Sequence, residues 1–375
     1  MKQITNITLL VSYSGSGGVE VITNNFCAGL VATGVKVTVL VIRNTSPHLP
    51  SLHPEVTQVK LRSNSSWAAL PEIVRYLKNH NPDVFMAIKD RSIQVAAVAK
   101  RLSAYRGLMV GQLHNNMITG LANRGWLSRK IRYSRMRSWY PAHDHIFAVS
   151  EDAARAASQI TKLPPEKFSV LPNAVIPPSL QSQSEQPAQH RWLQDDGGTP
   201  VVISVGRLSP QKNFALLLSA FALVLEKQDA RLIIFGEGKQ KDALLSQAVK
   251  LGIQDKFDLA GFVDNPFAEI KRASVFALSS NWEGSPTVLT EALALGVPCV
   301  ATDVGDTKTT LQNNQIGIIC EQQDAPGLAD AILTTLNKPP SAEKLKAAVG
   351  KFSQSQSTRS YLEHFAKLLS KHTNS

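Results

Sequence analysis

The chain has 375 residues, of which 43% are hydrophobic and 18% are charged, and its formal net charge is +11 at neutral pH. This length favours two domains of about 150–200 residues each. The apolar content excludes a disordered chain, and no apolar run approaches the ~18 residues that a membrane-spanning helix needs. The three cysteines, at positions 27, 299 and 320, share no ligand-like spacing. We therefore expect buried thiols in a reducing compartment.

The positive charge is concentrated in the first half of the chain. Residues 1–180 carry 21 Lys and Arg against 9 Asp and Glu, a net of +12, whereas residues 181–375 carry 19 against 20, a net of −1. A basic half and a neutral half indicate different partners. The N-terminus does not resemble a secretory signal peptide, so we expect a cytoplasmic protein.

Short apolar strands alternate with helices in the first half. The periodicity predicts strands at 4–13, 36–42, 56–61, 82–88, 108–116, 144–150 and 168–175, and helices at 70–79, 93–102 and 151–160. A further helix opens after the first strand and ends near Thr33. This alternation predicts a parallel, doubly wound α/β sheet.

Two strand ends in the first half carry candidate site residues. Gly17 and Gly18 follow the first strand, where glycines let a backbone approach a bulky ligand or simply form a strand-to-helix turn. The turn lacks the G-x-G-x-x-G fingerprint, which disfavours a nicotinamide cofactor. His114 stands near the end of the 108–116 strand, as either a site residue or a structural histidine.

The stretch 124–140 combines cations with aromatic and aliphatic side chains. Six Lys and Arg fall between Arg124 and Arg137, and a helix would put Leu127 and Ile131 on one stripe. This pattern is typical of a helix at an anionic membrane surface, although a solvated basic face over a core-packing stripe has the same pattern. Nucleic acid is disfavoured because no nucleic-acid-binding motif accompanies the charge. The residues expected to contact membrane or acceptor are Trp126, Arg129, Lys130, Arg132 and Arg135.

Residues 176–199 are rich in Pro, Gln and Ser and are interpreted as an interdomain linker. The strand–helix alternation then resumes over 200–355. The segment 201–213 is predicted to be a strand that ends in a loop, and further strands are predicted at 230–238, 257–263, 275–280, 297–305 and 316–320. Helices are predicted at 214–227, 242–251, 265–273, 287–296, 325–337 and 342–352. A last helix at 356–371 has apolar residues at helical spacing. We therefore expect a second Rossmann-like domain.

An acidic loop follows the predicted strand at 275–280. Glu283 lies in the loop and Glu291 about two turns into the next helix, whose first amides at Thr287, Val288 and Leu289 would be free donors for an anion. Both glutamates have an alternative reading, as a solvated loop acid and a surface helix residue.

Two cations, Arg207 and Lys212, follow the first strand of the second half. Parallel strands bring their C-terminal ends to one sheet edge, so these cations and the acidic loop would lie together. Two cations at a helix N-terminus suit a diphosphate and stabilise a phosphate leaving group. Taken singly, each is equally typical of a surface cation.

These motifs together resemble glycosyltransferase family 4. The segments are GG at 17–18, VGRLSPQKN at 205–213, FGEG at 235–238, LAGFV at 259–263 and EGSPTVLTEALALGVPCVATDVG at 283–305. The resemblance covers nearly the whole chain and implies the GT-B fold, in which two Rossmann-like domains face across a cleft. It implies an N-terminal acceptor domain at 1–175, joined by the helix at 356–375, and a C-terminal nucleotide-sugar domain at 200–355.

The resemblance implies a role for each matched residue. Arg207 and Lys212 would hold the donor diphosphate together with the amides of Val288 and Leu289, and Gly17 and Gly18 would approach it. Glu291 would bind the ribose hydroxyls. Glu283 would bind the transferred sugar, with His114 near it. The nucleobase would lie near Gly236, Phe262 and Val263. Catalysis would then depend on Glu283, His114, Arg207 and Lys212, with no metal ion and no cofactor.

One segment departs from the family pattern. Members usually carry Gly-Gly-x-x-Glu where this chain has Gly305-Asp306-Thr307-Lys308-Thr309. The departure affects the donor contacts near 305 and not the diphosphate site.

The resemblance implies retaining transfer of a hexose from a nucleoside-diphosphate sugar, a UDP-sugar by preference. With the basic first half, it indicates a glycan or lipid acceptor at the inner face of the cytoplasmic membrane, in surface polysaccharide or lipopolysaccharide synthesis. Two alternatives stay open: a nucleotide-sugar epimerase, and a non-catalytic subunit of a polysaccharide assembly complex.

Overall fold

The computed structural model describes residues 4–13, 18–46, 48–121, 124–194 and 198–372. The chain divides into two compact units. Unit 1 comprises Met1–Val175 and Phe352–Ser375, and unit 2 comprises Ile176–Lys351.

Unit 1 is built on a seven-stranded sheet in which all strands run parallel. Its strands are β1 (Asn6–Tyr13), β2 (Lys36–Asn44), β3 (Thr57–Lys60), β4 (Val84–Ile88), β5 (Leu108–Leu113), β6 (His145–Ala148) and β7 (Phe168–Val170). They are ordered β3-β2-β1-β4-β5-β6-β7. Strands β4 and β5 are buried along their whole length, as in a parallel sheet covered by helices on both faces. This sheet confirms the predicted α/β class.

Before the chain leaves unit 1, its described residues form five α-helices around this sheet. They are α1 (Gly18–Ala32), α2 (Leu70–His80), α3 (Asp90–Ser103), α4 (Trp126–Trp139) and α5 (Glu151–Thr161). Helix α5 shows why such segments form helices: the Ser150 hydroxyl caps its first turn by accepting from the Ala153 amide, and Glu151 favours the positive helix N-terminus. Helix α3 begins three residues before its predicted start, which makes Asp90 part of its first turn.

Unit 2 repeats the plan with six parallel strands. These are β8 (Val201–Val205), β9 (Arg231–Phe235), β10 (Phe257–Gly261), β11 (Val275–Leu278), β12 (Cys299–Thr302) and β13 (Ile318–Cys320), in the order β10-β9-β8-β11-β12-β13. Its helices are α6 (Leu180–Ser184), α7 (Phe214–Leu225), α8 (Lys241–Lys250), α9 (Pro266–Ile270), α10 (Thr287–Ala294), α11 (Thr307–Thr310), α12 (Ala325–Asn337) and α13 (Ala342–Ala348). The order change at β8 puts the loops after β8 and β11 side by side at one sheet edge.

The last helix, α14 (Gln354–His372), packs on unit 1. Its side chains Tyr361, Phe365 and Leu369, spaced four residues apart, are buried in the core of that unit. Gly29 of α1 permits the contact, because a Cβ there would lie 2.2 Å from the Thr358 hydroxyl oxygen. The sequence therefore returns to its first unit through a helix with a single apolar face.

The expected linker at 176–199 differs from the prediction where the structure describes it. Residues 176–194 belong to unit 2, where α6 packs on α9. The buried carboxylate of Glu269 accepts from the backbone amides of Gln189 and His190. The Asn265 side-chain amide also donates to the Gln183 carbonyl. The Pro-, Gln- and Ser-rich composition predicted an interdomain connection, and in the described part of it backbone groups find partners on unit 2.

Within the described ranges, none of the helices combines the length and apolarity that crossing a bilayer requires. The three cysteines are free thiols and are buried, as predicted.

Candidate active site

An ion pair joins the loops that follow β8 and β11. Lys212 Nζ lies 2.6 Å from Glu283 Oε1, and both side chains are largely buried. The carboxylate also accepts from the Ser280 hydroxyl at 2.9 Å and from Gln211 Nε2 at 3.2 Å. Glu283 is therefore held from three sides, and one ammonium proton of Lys212 points at it while two remain for another acceptor. The solvated-loop reading of Glu283 is wrong.

Glycines allow this close loop packing. A methyl group at Gly206 would come within 2.9 Å of Lys212 Cε, so the lysine stem lies across that glycine. A Cβ at Gly236 would lie 1.8 Å from the Gly206 carbonyl oxygen, and one at Gly305 would lie 2.4 Å from the Gly284 carbonyl oxygen. Gly305 also has φ +57°, in the left-handed region. Two pairs of loops, those after β8 and β9 and those after β11 and β12, thus approach each other at distances that only glycine permits.

Glu291 lies on α10 close enough to Lys212 for their charges to interact. Burial raises the pKa of Glu291 to about 7, and the Lys212 charge opposes the rise. Near neutral pH its carboxyl group is therefore partly protonated, so it can both donate to and accept from a hydroxyl.

Arg207 is exposed, and among the described residues no carboxylate partner is recorded for it. Arg207 lies five positions before Lys212 and directly follows Gly206, the glycine across which the Lys212 side chain lies. Its guanidinium keeps its full hydrogen-bonding capacity for an anion in solution.

The helix N-terminus differs in one point from the prediction. Within the described part of the chain, the amides of Thr287 and Val288 have no recorded backbone acceptor, as expected for the start of α10. The Leu289 amide, however, donates to the Pro286 carbonyl at 3.2 Å. The first turn closes tightly on Pro286 at the N-cap, so Leu289 is not a free donor.

The predicted nucleobase region has one exposed ring and one buried aliphatic side chain. Phe262 is 67% exposed directly after β10, whereas Val263 is buried. The Gly236 amide donates to the Gly261 carbonyl at 2.7 Å, which ties the loop after β9 to this strand end. An exposed aromatic ring beside glycine backbone is a surface on which a flat base can stack.

Asp306, in the departing segment, is buried beside the acidic loop. Its amide donates to the Gly284 carbonyl at 3.2 Å, and its Oδ1 has no hydrogen-bond partner among the described atoms. Burial raises the pKa of Asp306 to about 7, partly offset by a hydrogen bond from Ser285. The segment that lacks the family glutamate therefore still presents a buried carboxyl group to the loop.

His114 lies in unit 1, directly after β5, and is 7% exposed. Burial, helped by the nearby Lys89 charge, lowers the pKa of His114 to about 3, so the imidazole is neutral at physiological pH. Its Nε2 is buried without a hydrogen-bond partner among the described residues. Gly18 is exposed at the first position of α1, whereas Gly17 lies outside the described residues.

A cavity of about 910 Å³ opens in unit 1, and His114 lines it. The remaining wall comes from the ends of β1, β2, β4 and β5, the start of α1, the segment 65–67, the start of α3 and one face of α4.

The predicted membrane or acceptor residues on α4 divide into two groups. Arg132 and Arg135 line the cavity, whereas Trp126, Arg129 and Lys130 do not. Lys130 lies over the Trp126 ring, with Nζ 5.5 Å from the ring centroid, and that ring is 66% exposed. The core-packing stripe is wrong for Leu127 and Ile131, because both are largely exposed.

Several site residues had no individual signal in the sequence. Gln211 and Ser280 contact Glu283, and Gly206 and Gly305 permit the loop crossings. Their place inside the matched segments at 205–213 and 283–305 was the available clue. In the described ranges, no cluster of three or more His, Cys, Asp or Glu is arranged as a metal site.

The family comparisons match both halves of the chain. Residues 16–177 match the model described as Glycosyltransferase Family 4, and residues 185–352 match Glycosyl transferases group 1.

Individual relatives align over part or most of the chain. An N-acetylgalactosaminyltransferase of Campylobacter jejuni, named for an acceptor that contains diphospho-undecaprenol, is 31% identical over 52% of this chain and 52% of its own. An amylovoran biosynthesis glycosyltransferase of Erwinia amylovora is 25% identical over 79% of this chain and 80% of its own. The chain spans about half the length of the curated relatives that exceed 30% identity, 44% and 52%.

The fold also matches solved structures. The Anabaena protein HepE, solved in complex with UDP and glucose, superposes with a TM-score of 0.77 at 19% identity and covers 98% of this chain and 100% of its own. This likeness supports the GT-B fold, in which each of two Rossmann-like sheets consists of parallel strands. The two family matches together span most of the chain, and both models describe glycosyltransferases.

Proposed function

We propose that the protein is a retaining glycosyltransferase that transfers a hexose from a nucleoside-diphosphate sugar, a UDP-sugar by preference. The observation that carries this proposal is the Lys212–Glu283 pair between the two loops, with Arg207 exposed five positions before Lys212 and without a carboxylate partner among the residues that the structure describes. Glu283 orients the ammonium group, and two cations face the position of the departing diphosphate. The UDP and glucose bound to HepE support the choice of donor.

The other site residues take the roles that their surroundings allow. Glu291, with its raised pKa, binds the ribose hydroxyls, and Phe262 with the Gly236 backbone receives the base. Thr287 and Val288 offer amides to the phosphate. The cations supply the charge that a metal ion supplies in other transferases. We therefore expect chelation with EDTA to leave turnover unchanged.

The test is UDP release from a panel of UDP-sugars, with mass analysis of the products. We expect Lys212→Ala and Glu283→Ala each to lose about 2–4 kcal/mol of transition-state stabilisation, roughly 30- to 1000-fold in rate. Lys256→Ala is the matched control, because that lysine forms an exposed pair with Asp229. Equal rates in the two site variants and the control contradict the assignment.

We propose a membrane-linked glycan or lipid acceptor for surface polysaccharide or lipopolysaccharide synthesis. The names of the Campylobacter and Erwinia relatives support this acceptor class. On α4 the exposed Trp126 and Lys130, with the partly exposed Arg129, combine a ring with two cations and suit an anionic bilayer surface.

Vesicle flotation tests the membrane proposal. We expect binding to vesicles containing phosphatidylglycerol, and each of Arg129→Gln and Lys130→Gln to weaken it by about 1 kcal/mol. Arg106→Gln, an exposed arginine elsewhere on unit 1, is the control. Flotation that ignores both lipid charge and these variants contradicts surface binding.

The two alternatives predict different products. An epimerase converts the donor without any acceptor product, and a non-catalytic subunit binds UDP without turnover. Family membership in the glycosyltransferases favours transfer over both, and the product panel separates all three.

A further inference from the structure

The cavity in unit 1 is strongly cationic. Among the described residues that line it are five cations and one carboxylate, Asp90. The cations are Arg43, Lys89, Arg91, Arg132 and Arg135. A concave site with this balance concentrates anions.

Two of these cations are already neutralised within the fold. Lys89 Nζ lies 2.8 Å from Glu20 Oε1, a buried carboxylate on α1. Arg132 lies 2.8 Å from Asp90 Oδ2, and the other oxygen of Asp90 accepts from the Tyr140 hydroxyl at 2.8 Å. The single carboxylate of the wall is therefore fully engaged and offers no free acceptor to a cation.

Three guanidinium groups remain: Arg43, Arg91 and Arg135. All three are exposed, and no carboxylate partner is recorded for any of them in the described part of the chain. Arg43 Nε donates to the Asn64 carbonyl at 2.7 Å, which orients the guanidinium, and no hydrogen bond to its terminal nitrogens is seen within the described ranges. They come from the end of β2, the first turn of α3 and the middle of α4, so they approach the cavity from different elements.

The same cavity has an apolar wall. Trp67, Leu127 and Ile131 line it and are 37%, 57% and 46% exposed. Large apolar side chains left in water next to a cationic surface fit a ligand with an apolar part and an anionic part. His114 adds a neutral buried nitrogen, Nε2, without a partner among the described residues, which suits a hydroxyl group.

We propose that this cavity binds an amphiphile bearing a phosphate or diphosphate, whose acidic group is held by Arg43, Arg91 and Arg135 and whose chain lies on Trp67, Leu127 and Ile131. That this amphiphile is the sugar acceptor rests on the proposed function; that the cavity binds it does not. Guanidinium forks bind phosphate oxygens in pairs. A polynucleotide would need cations along an extended groove, whereas these converge on one cavity.

The test is titration calorimetry on the full chain in a fixed concentration of nonionic detergent. The probes are geranylgeranyl diphosphate, geranylgeraniol and inorganic pyrophosphate, with UDP present to saturate any site in unit 2. We expect the diphosphate lipid to bind at least about tenfold more tightly than either the alcohol or pyrophosphate, since each of these lacks one half of the recognition.

Variants locate the binding site. We expect Arg43→Gln, Arg91→Gln and Arg135→Gln each to weaken the diphosphate lipid about threefold to tenfold, and Arg106→Gln to leave it unchanged. Lys212→Ala is expected to lose UDP binding and keep lipid binding, so the two proposals fail separately. Equal affinity for the alcohol, equal affinity for pyrophosphate, or single arginine variants that bind like Arg106→Gln would each overturn the proposal.

Discussion

The two polar sites of this protein hold their charges in opposite ways. In unit 2 the Lys212 ammonium and the Glu283 carboxylate neutralise each other at 2.6 Å, on loops that glycines allow to pack closely against their neighbours. In the cavity of unit 1 three guanidinium groups face water without a recorded carboxylate partner among the described residues. The charges of the first site are therefore balanced and positioned without a ligand, whereas the cations of the second site would be balanced only by a bound anion.

The buried acids away from the Lys212–Glu283 pair show a second contrast between the units. In unit 1 Glu20 and Asp90 are matched by cations, and the buried imidazoles of His114 and His143 are neutral. In unit 2 Glu291 and Asp306 are buried with raised pKa values and hold protons near neutral pH. Glu20 and Asp90 of unit 1 therefore keep their charge in ion pairs, whereas Glu291 and Asp306 of unit 2 avoid a buried charge by retaining a proton.

The largest effect is expected from disrupting the close backbone contact between Gly206 and Gly236 in unit 2. Gly236→Ala places a Cβ 1.8 Å from the Gly206 carbonyl oxygen, so the loop that bears Arg207 and Lys212 has to move. We expect a loss of at least about 3 kcal/mol in the free energy of unfolding and a loss of UDP binding. Gly350→Ala is the matched control, because a Cβ there meets nothing within 4 Å. Chemical denaturation and UDP titration measure both, and a variant as stable as the control disproves the crossing argument.

A smaller effect is expected from opening the ion pair in unit 1. Asp90→Asn leaves Arg132 without its carboxylate, and the new amide presents a donor to another donor. We expect a cost of about 2 kcal/mol, below the range for a fully buried pair because Arg132 is partly exposed. Hydrogen exchange of peptides from α3 and α4 measures it. Unchanged exchange would mean that the pair does not stabilise these helices.

The contrast in buried acids and imidazoles gives opposite pH responses. The folded pKa of His114 and of His143, about 3, lies below that of a free imidazole, so the unfolded chain takes up protons first and unit 1 loses stability as pH falls below about 6.5. The folded pKa of Asp306, about 7, lies above that of a free carboxyl, so unit 2 loses stability as pH rises from about 4 to 7. Hydrogen exchange at pH ~5.5 and ~8 measures the stability of each unit separately, because peptides from the two units are distinguished by mass.

Asp306→Asn tests the pH response of unit 2 directly. The amide cannot ionise, so we expect the variant to remove at least about 1 kcal/mol of the pH-dependent loss. Asp255→Asn, an exposed acid of the same unit, is the control. If both variants lose as much stability between pH ~4 and ~7 as the wild type does, the buried carboxyl group of Asp306 is not the source of the pH dependence.

The smallest effect is expected at exposed ion pairs, which belong to neither site. Arg155 pairs with Asp152 on unit 1, and Lys256 pairs with Asp229 on unit 2. Because solvent screens both pairs, we expect Asp152→Asn and Lys256→Gln each to change the free energy of unfolding by less than about 0.5 kcal/mol. A larger change in thermal unfolding would show that proximity of charges alone, without burial, stabilises these units.

Much of the fold was predictable because its signals are local. Alternating apolar runs and helical spacings predicted the strands of both sheets and most helices. The apolar face that includes Tyr361 and Phe365 predicted the last helix. The packing of 176–194 on unit 2 was not predicted, because amino-acid composition indicates turns but does not identify hydrogen-bond partners. Here the side chains of Glu269 and Asn265 are those partners. The amide of Leu289 was mispredicted for a similar reason, since the tightness of the first turn depends on Pro286.

The sequence by itself determined the two-sheet architecture and the segments that carry the candidate site, since periodicity and motif spacing lie within a few tens of residues. Only the tertiary structure decided which charges are paired. Lys212 and Glu283 lie 71 residues apart in the chain, Lys89 and Glu20 lie 69 apart, and Arg132 and Asp90 lie 42 apart. An ion pair depends on distance and burial in space, and parallel sheets bring together strand ends that the chain keeps far apart.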